Sequence, residues 1–333
     1  MIRAIGVELT RLLWRRAVVV LLAASVIVPV VIMATTAYNT RGLSEADIAQ
    51  AQEQVERDSR FSEREVERCV KRPGRYNVTE DTVDVRAVCE EYVLPRIEYY
   101  LYREPLDLDQ ERENGSGIAV VTLLVALMAL LGATFVGHDW ATGSMSNQLL
   151  FQTRRVRVWV AKAIAVALVA GAITLMVTVA YWLGLRGIAA MRDLDVRSGA
   201  LTDCLQQGLR GTAFAMGAAV GGYALTMLFR STVATLGVLF AVSVAGGVVI
   251  GVIGADKVGQ WEPTVNAAAI VQDGAEYYVS VPAECYASRR PPSDLDCDEN
   301  RTVSTAHGAW YAGGLLVLAG VPSLLLFRRR DVP

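Results

Sequence analysis

The chain has 333 residues, 53% of them in the hydrophobic set, with a mean hydropathy of +0.34. Those values exclude an ordinary soluble domain built on one large core and predict a membrane protein. The net charge of −2 carries little information by itself. Its distribution along the chain carries much more.

Residues 1–16 read as an amphipathic helix. Ile2, Ile5, Leu9, Leu12 and Leu13 fall on one side; Arg3, Glu8, Arg11 and Arg15 take the other. Such a helix lies in the membrane interface with its apolar face in the lipid. The apolar run at 17–37 is long enough to span a bilayer, so it is a first span and not the core of a signal peptide.

Residues 38–116 form a polar, extracytoplasmic helical domain. Ser44-Glu45-Ala46-Asp47 opens a helix that runs to about Arg72, where Pro73-Gly74 stops it. A second helix is expected from about Asp81 to Tyr102, broken at Pro95. An antiparallel hairpin of the two would bring Cys69 to Cys89, and a disulfide there would stabilise by roughly 3 kcal/mol.

The second span is 117–137 and the third 158–185. Residues 138–157 join them, and the polar character runs on to Lys162. Gly143 allows a turn and Ser144 is a plausible N-cap. A short amphipathic helix follows, with Met145, Leu149 and Leu150 apolar and Ser146, Asn147 and Gln148 polar. Arg154, Arg155, Arg157 and Lys162 mark the return to lipid. The bland alternative is an ordinary basic loop.

The outer loop 186–208 holds Cys204. Spans follow at 209–229 and 233–254, joined by a tight turn at Arg230-Ser231-Thr232. Residues 255–306 form a second, smaller outer domain. It has a strand at 277–281, a turn at Pro291-Pro292, and Cys285 and Cys297 placed to bridge that turn. The last span is 307–327, with a basic tail at 328–333. The fold class is thus an all-α polytopic membrane protein of six spans with an N-terminal interfacial helix, a helical-hairpin outer domain and a smaller outer loop domain.

The N-terminal segment, residues 138–162, Arg230 and the tail together hold twelve basic residues. Their only acids are Glu8, Asp139 and Asp331, leaving 20 basic and 31 acidic residues elsewhere. Basic residues beside span ends favour the cytosol, so both termini and the 138–157 segment are expected there, in a bacterial plasma membrane. All five cysteines then fall outside, where disulfides persist. Cys204 is left over, either a free thiol or a partner across a dimer.

Several chemistries are missing. None of the three lysines, Lys71, Lys162 and Lys257, follows a phosphate-cradling glycine loop, so ATP is not hydrolysed by this chain. The spans carry almost no charge, which disfavours an ion-coupled carrier. His138 and His307 sit on opposite faces, no zinc motif is present, and no catalytic residue, metal or nucleic-acid partner is expected. Gly217 with Gly221, and Gly247 with Gly251, form pairs that permit close helix approach, within one chain or across a dimer.

One stretch also carries a family resemblance. Asp139, Gly143, Ser144, Leu149, Leu150, Arg154, Arg155 and Lys162 resemble the cytosolic loop between two spans of ABC-2 type exporter permeases, especially actinobacterial ones. Asp139 stands where Glu is commoner, and the proline usual before the arginines is replaced by Gln152-Thr153. The span pattern extends the likeness over most of the chain, the two outer domains excepted. The resemblance implies a separate ABC ATPase that binds ATP and Mg and docks on that loop, so this chain holds no cofactor of its own. It implies a second permease copy or sister permease, with the first and fifth spans as the seam and Gly246, Gly247 and Gly251 at it. Export of an apolar or amphipathic substrate follows. The alternative is a non-transporting device that moves the outer hairpin against an envelope partner.

Overall fold

The computed structural model describes residues 1–76, 84–101, 103–253, 258–287 and 296–329. It divides into two compact units. Residues 1–34 and 107–333 form the larger. Five of its helices are long and apolar enough to cross a membrane: Arg16–Asn39, Leu108–Ala141, Arg155–Met191, Ala200–Phe229 and Thr305–Arg329. The architecture is that of an all-α membrane protein.

In chain order, α1 (Ile2–Leu13) precedes α2 (Arg16–Asn39), and the short α6 (Leu108–Glu113) leads into α7 (Ser116–Ala141). Next come α8 (Ser144–Phe151), α9 (Arg155–Met191), α10 (Ala200–Phe229) and α11 (Thr232–Ile253). Then α12 (Pro263–Gln272), β1 (Ala275–Tyr278), α13 (Glu284–Ala287), β2 (Asn300–Val303) and α14 (Thr305–Arg329) complete the unit. The expected fifth span is thus a 22-residue helix, α11.

Several boundaries differ from expectation. No glycine or proline interrupts His138-Asp139-Trp140-Ala141, so α7 continues through them and the turn shrinks to Thr142-Gly143. α9 runs for 37 residues, about 55 Å, and carries Lys162 two turns inside it. The loop expected at 186–208 contracts to 192–199, because Gly199 in the left-handed region starts α10 nine residues early. Cys204 therefore lies within a helix, fully buried, its thiol directed at the Leu108 carbonyl at 3.7 Å. Buried there, it cannot reach a second copy. A maleimide should leave the native protein unlabelled and mark one thiol after denaturation, read by intact mass.

α10 is the central helix, against α7, α9 and α14. Gly132 of α7 and Gly222 of α10 make this possible. A side chain on the first would overlap the Ala219 carbonyl, and one on the second the Ala129 carbonyl. Gly217 and Gly221 instead face Leu316 of α14, so they serve packing within the chain. Gly222→Ala should therefore cost roughly 1–3 kcal/mol. In contrast, Gly221→Ala would meet Leu316 at an ordinary 3.6 Å. It should be neutral or stabilise by up to about 1 kcal/mol. Thermal unfolding in detergent separates the two. Gly246, Gly247 and Gly251 belong to α11, but their surroundings lie outside the described residues.

The second outer region was expected to have little helix, yet α12 forms there, opened by Pro263 at its first position. The predicted strand appears two residues earlier, at β1, and pairs antiparallel with β2. Cys285 and Cys297 are bonded, with Cα atoms 5.6 Å apart. The Pro291-Pro292 turn lies outside the described residues.

Residues 35–106 form the smaller unit: α3 (Glu45–Lys71), α4 (Val85–Val93) and α5 (Ile97–Leu101). Ser44 caps α3 in a reciprocal box with Asp47. Hydrogen bonds from Ser44, then Arg103 and Arg41 nearby, hold the Asp47 carboxyl well below its usual range. Pro95 separates α4 from α5, as its missing N–H and its effect on the preceding residue require. Cys69 and Cys89 are bonded and fully buried, and with Val66 they form the unit's small core. Residues 77–83, where the second helix was expected to begin, are outside the described residues.

Candidate functional site

The structural feature with the most unusual chemistry lies where α1, α7, α8 and α9 meet. Glu8, Arg11 and Arg15 follow one another at helical spacing, on a stripe that runs past the end of α1. Sequence patterning placed this stripe toward water and the apolar stripe toward lipid. The packing is the reverse for its acid: Glu8 is buried together with Leu12, while Ile2 is 87% exposed. The correction has a plain cause. A carboxylate can leave water when cations wait for it in the interior.

Lys162 supplies the first cation. Its Nζ lies 2.7 Å from Glu8 Oε2 and 2.7 Å from Asp139 Oδ2, and none of its side chain is exposed. Asp139, also fully buried, accepts on its other oxygen from Arg11 Nη2 at 3.1 Å and from Arg15. Arg11 continues to α8, donating to Ser144 Oγ and to Gln148 Oε1, each at 2.7 Å. The Gln148 amide in turn donates to Glu8. Arg15 also donates to the Phe135 carbonyl at 2.6 Å. Arg15 and Lys162 both stand 4.9 Å from the Phe135 ring centre, where the ring's π-electrons favour a cation.

Three cations thus surround two carboxylates. The surplus positive charge is partly relieved by water, since the side chains of Arg11 and Arg15 are 27% and 14% exposed. The ions adjoin, through Phe135, the buried apolar cluster that also contains Leu12, Leu131, Met145 and Phe327. The consequence is mechanical. Four separate helices are joined by charge-assisted hydrogen bonds in a place that excludes most water, where such bonds are strong and their loss costly. α8 cannot move without pulling on α1 and, through Asp139 and Lys162, on α7 and α9.

The expected site residues distribute themselves unevenly. Gly143 adopts φ +66°, a conformation that strains other residues, and its position is otherwise open. It, and not Ser144, is the residue before the first helical turn. The Ser144 hydroxyl makes no cap and is taken by Arg11. Asp139 is sealed inside, so it is closed to a partner protein. Of the arginines in the N-terminal segment, Arg11 and Arg15 reach it. Leu149 is half-buried against the core, whereas Leu150 and the following Phe151 are 76% and 93% exposed. The inward face of α8 is therefore Met145, Gln148 and Leu149. Arg155 donates to the carbonyls of Phe327 and Arg328, both at 3.3 Å, tying the start of α9 to the end of α14. Arg154 precedes α9 and is exposed.

Glu8, Arg15 and Gln148 were missed as site residues, and Lys162 was taken for a boundary marker. A signal for most of them existed. Glu8 and Asp139 are two of only three acids on the basic side of the chain, and Lys162 is the one lysine flanked by an apolar run. Isolated opposite charges in apolar surroundings must find one another. Comparison with known proteins returns no match to a family model, to a curated protein or to a solved structure, and the geometry of this cluster is what remains to carry a functional reading.

Proposed function

We propose that this chain is the membrane subunit of an ABC-2 type exporter, worked by a separate ATPase that presses on α8. The observation that carries this reading is the two-sidedness of that eight-residue helix. Its inner face is bonded into the ion cluster, and its outer face presents Leu150 and Phe151 with nothing over them among the described residues. A short element clamped between two long helices, rigidly coupled inward and apolar outward, suits a lever. ATP and Mg belong to the ATPase. Both termini are cytosolic, and α11 completes six spans with α2, α7, α9, α10 and α14. A second copy or sister permease packs along α2 and α11, where Gly246, Gly247 and Gly251 lie. The cargo is apolar or amphipathic.

The smaller unit, with its own disulfide-centred core, supports a second reading. In that reading the same lever repositions residues 35–106 against an envelope partner and nothing is transported. Substrate-stimulated ATP hydrolysis distinguishes export from this alternative. Sidedness is tested at Asn147, which is exposed on α8. Asn147→Cys should react with an impermeant maleimide only in opened cells, against the low background left by a buried Cys204. Labelling from outside intact cells would overturn the lever.

A further inference from the structure

We infer that the face carrying α8 also holds a binding site for the headgroup of an anionic phospholipid, between the start of α9 and the end of α14. A hollow of about 790 Å³ opens there, lined by Thr153, Arg154, Arg157, Val160 and Arg328 among others. Arg155 lines it too and organises it. Through its bonds to the Phe327 and Arg328 carbonyls it fixes the last turn of α14 beside the first turn of α9. Three arginines from two distant parts of the chain are thereby held around one space.

Two features select the ligand. Arg154, Arg157 and Arg328 form no ion pair among the described residues, and they converge on one hollow. Their charge is uncompensated, and the guanidinium fork matches phosphate oxygens. The same hollow has an apolar side at Val156 and Val160, and Val156 is 40% exposed. Free phosphate or an acidic peptide has no use for that wall. A phospholipid does, since its acyl chains run from the phosphate along the helices that begin here. The position at the end of two candidate spans is where headgroups lie. The inference needs only that the chain sits in a bilayer, and is independent of the ATPase.

The test uses the full chain in detergent and native mass spectrometry of lipid adducts. The wild-type protein should retain phosphatidylglycerol and release phosphatidylcholine, and inorganic phosphate should not displace the former. The combined change Arg154→Gln, Arg157→Gln, Arg328→Gln should weaken phosphatidylglycerol binding about 100-fold, from the usual worth of three basic side chains at an anionic surface. Equal retention of the two lipids by the wild-type protein would overturn the site without recourse to any variant. Displacement by inorganic phosphate would make it a free-anion site. A triple variant that keeps its lipid preference but no longer holds the ATPase would make it a protein-docking surface.

Discussion

Asp139→Asn should destabilise the protein by about 3–5 kcal/mol, the range for removing one partner from a buried ion pair. The cluster holds Arg11, Arg15 and Lys162 against Glu8 and Asp139. Without the Asp139 charge, three cations confront a single carboxylate, and the buried ammonium of Lys162 keeps only Glu8. Lys162→Met should be milder, although Lys162 is as deeply buried. Two cations would then face two carboxylates, Asp139 keeping Arg11 and Arg15, and Glu8 keeping Gln148 and Arg11. The remaining loss is one cation's hydrogen bonds to two buried oxygens, about 1–3 kcal/mol. Unfolding in detergent, followed by heat or denaturant, gives the order. If Lys162→Met proves the more damaging, charge balance does not govern this site. The same disruption should free α1, so limited proteolysis between residues 1 and 16 should speed up in Asp139→Asn before the whole protein unfolds.

On the proposed reading, Leu150→Asp and Phe151→Asp should each weaken association with the proposed ATPase partner by about 30-fold, the effect of a central apolar anchor in an interface. Neither should lower stability, since each side chain is more than three-quarters exposed and contributes little to the core. Binding of a separately purified candidate ATPase to the reconstituted protein supplies the measurement, with substrate-stimulated hydrolysis as the second readout. Unchanged association in both variants would remove α8 from the docking surface. Leu149→Asp is the contrasting case: it should damage the fold, because Leu149 packs inward on Met145 and its neighbours. The two leucines stand side by side in sequence, yet their expected defects are of different kinds.

Those two leucines show how far pattern reasoning reaches. Amphipathic patterning was enough to place a short helix after Gly143, because a glycine suited to the turn and a run of helix-compatible residues are local matters. It could not assign the helix's faces. Met145 and Leu149 are inside and Leu150 is outside because α8 turns one side to the core cluster and to Glu8 and Arg11 of α1, and nothing described covers the other. The N-terminal helix α1 repeats the lesson with the opposite sign. Its amphipathic stripe was legible, but amphipathicity alone points charge to water, and the partners that draw Glu8 inward, Gln148 and Lys162, lie 140 and 154 residues away.

What the sequence by itself determined was the set of long apolar helices, the capping of α3, the disulfide partners Cys69–Cys89 and Cys285–Cys297, and the break at Pro95. Each depends on residues near one another along the chain, or on apolar length, which needs no partner. Only the tertiary structure decided that Asp139 is sealed away, that Lys162 binds two acids, and that Arg155 joins α9 to α14. Those are long-range pairings of single charges, and a charge's partner is set by which helices touch, which no local periodicity encodes.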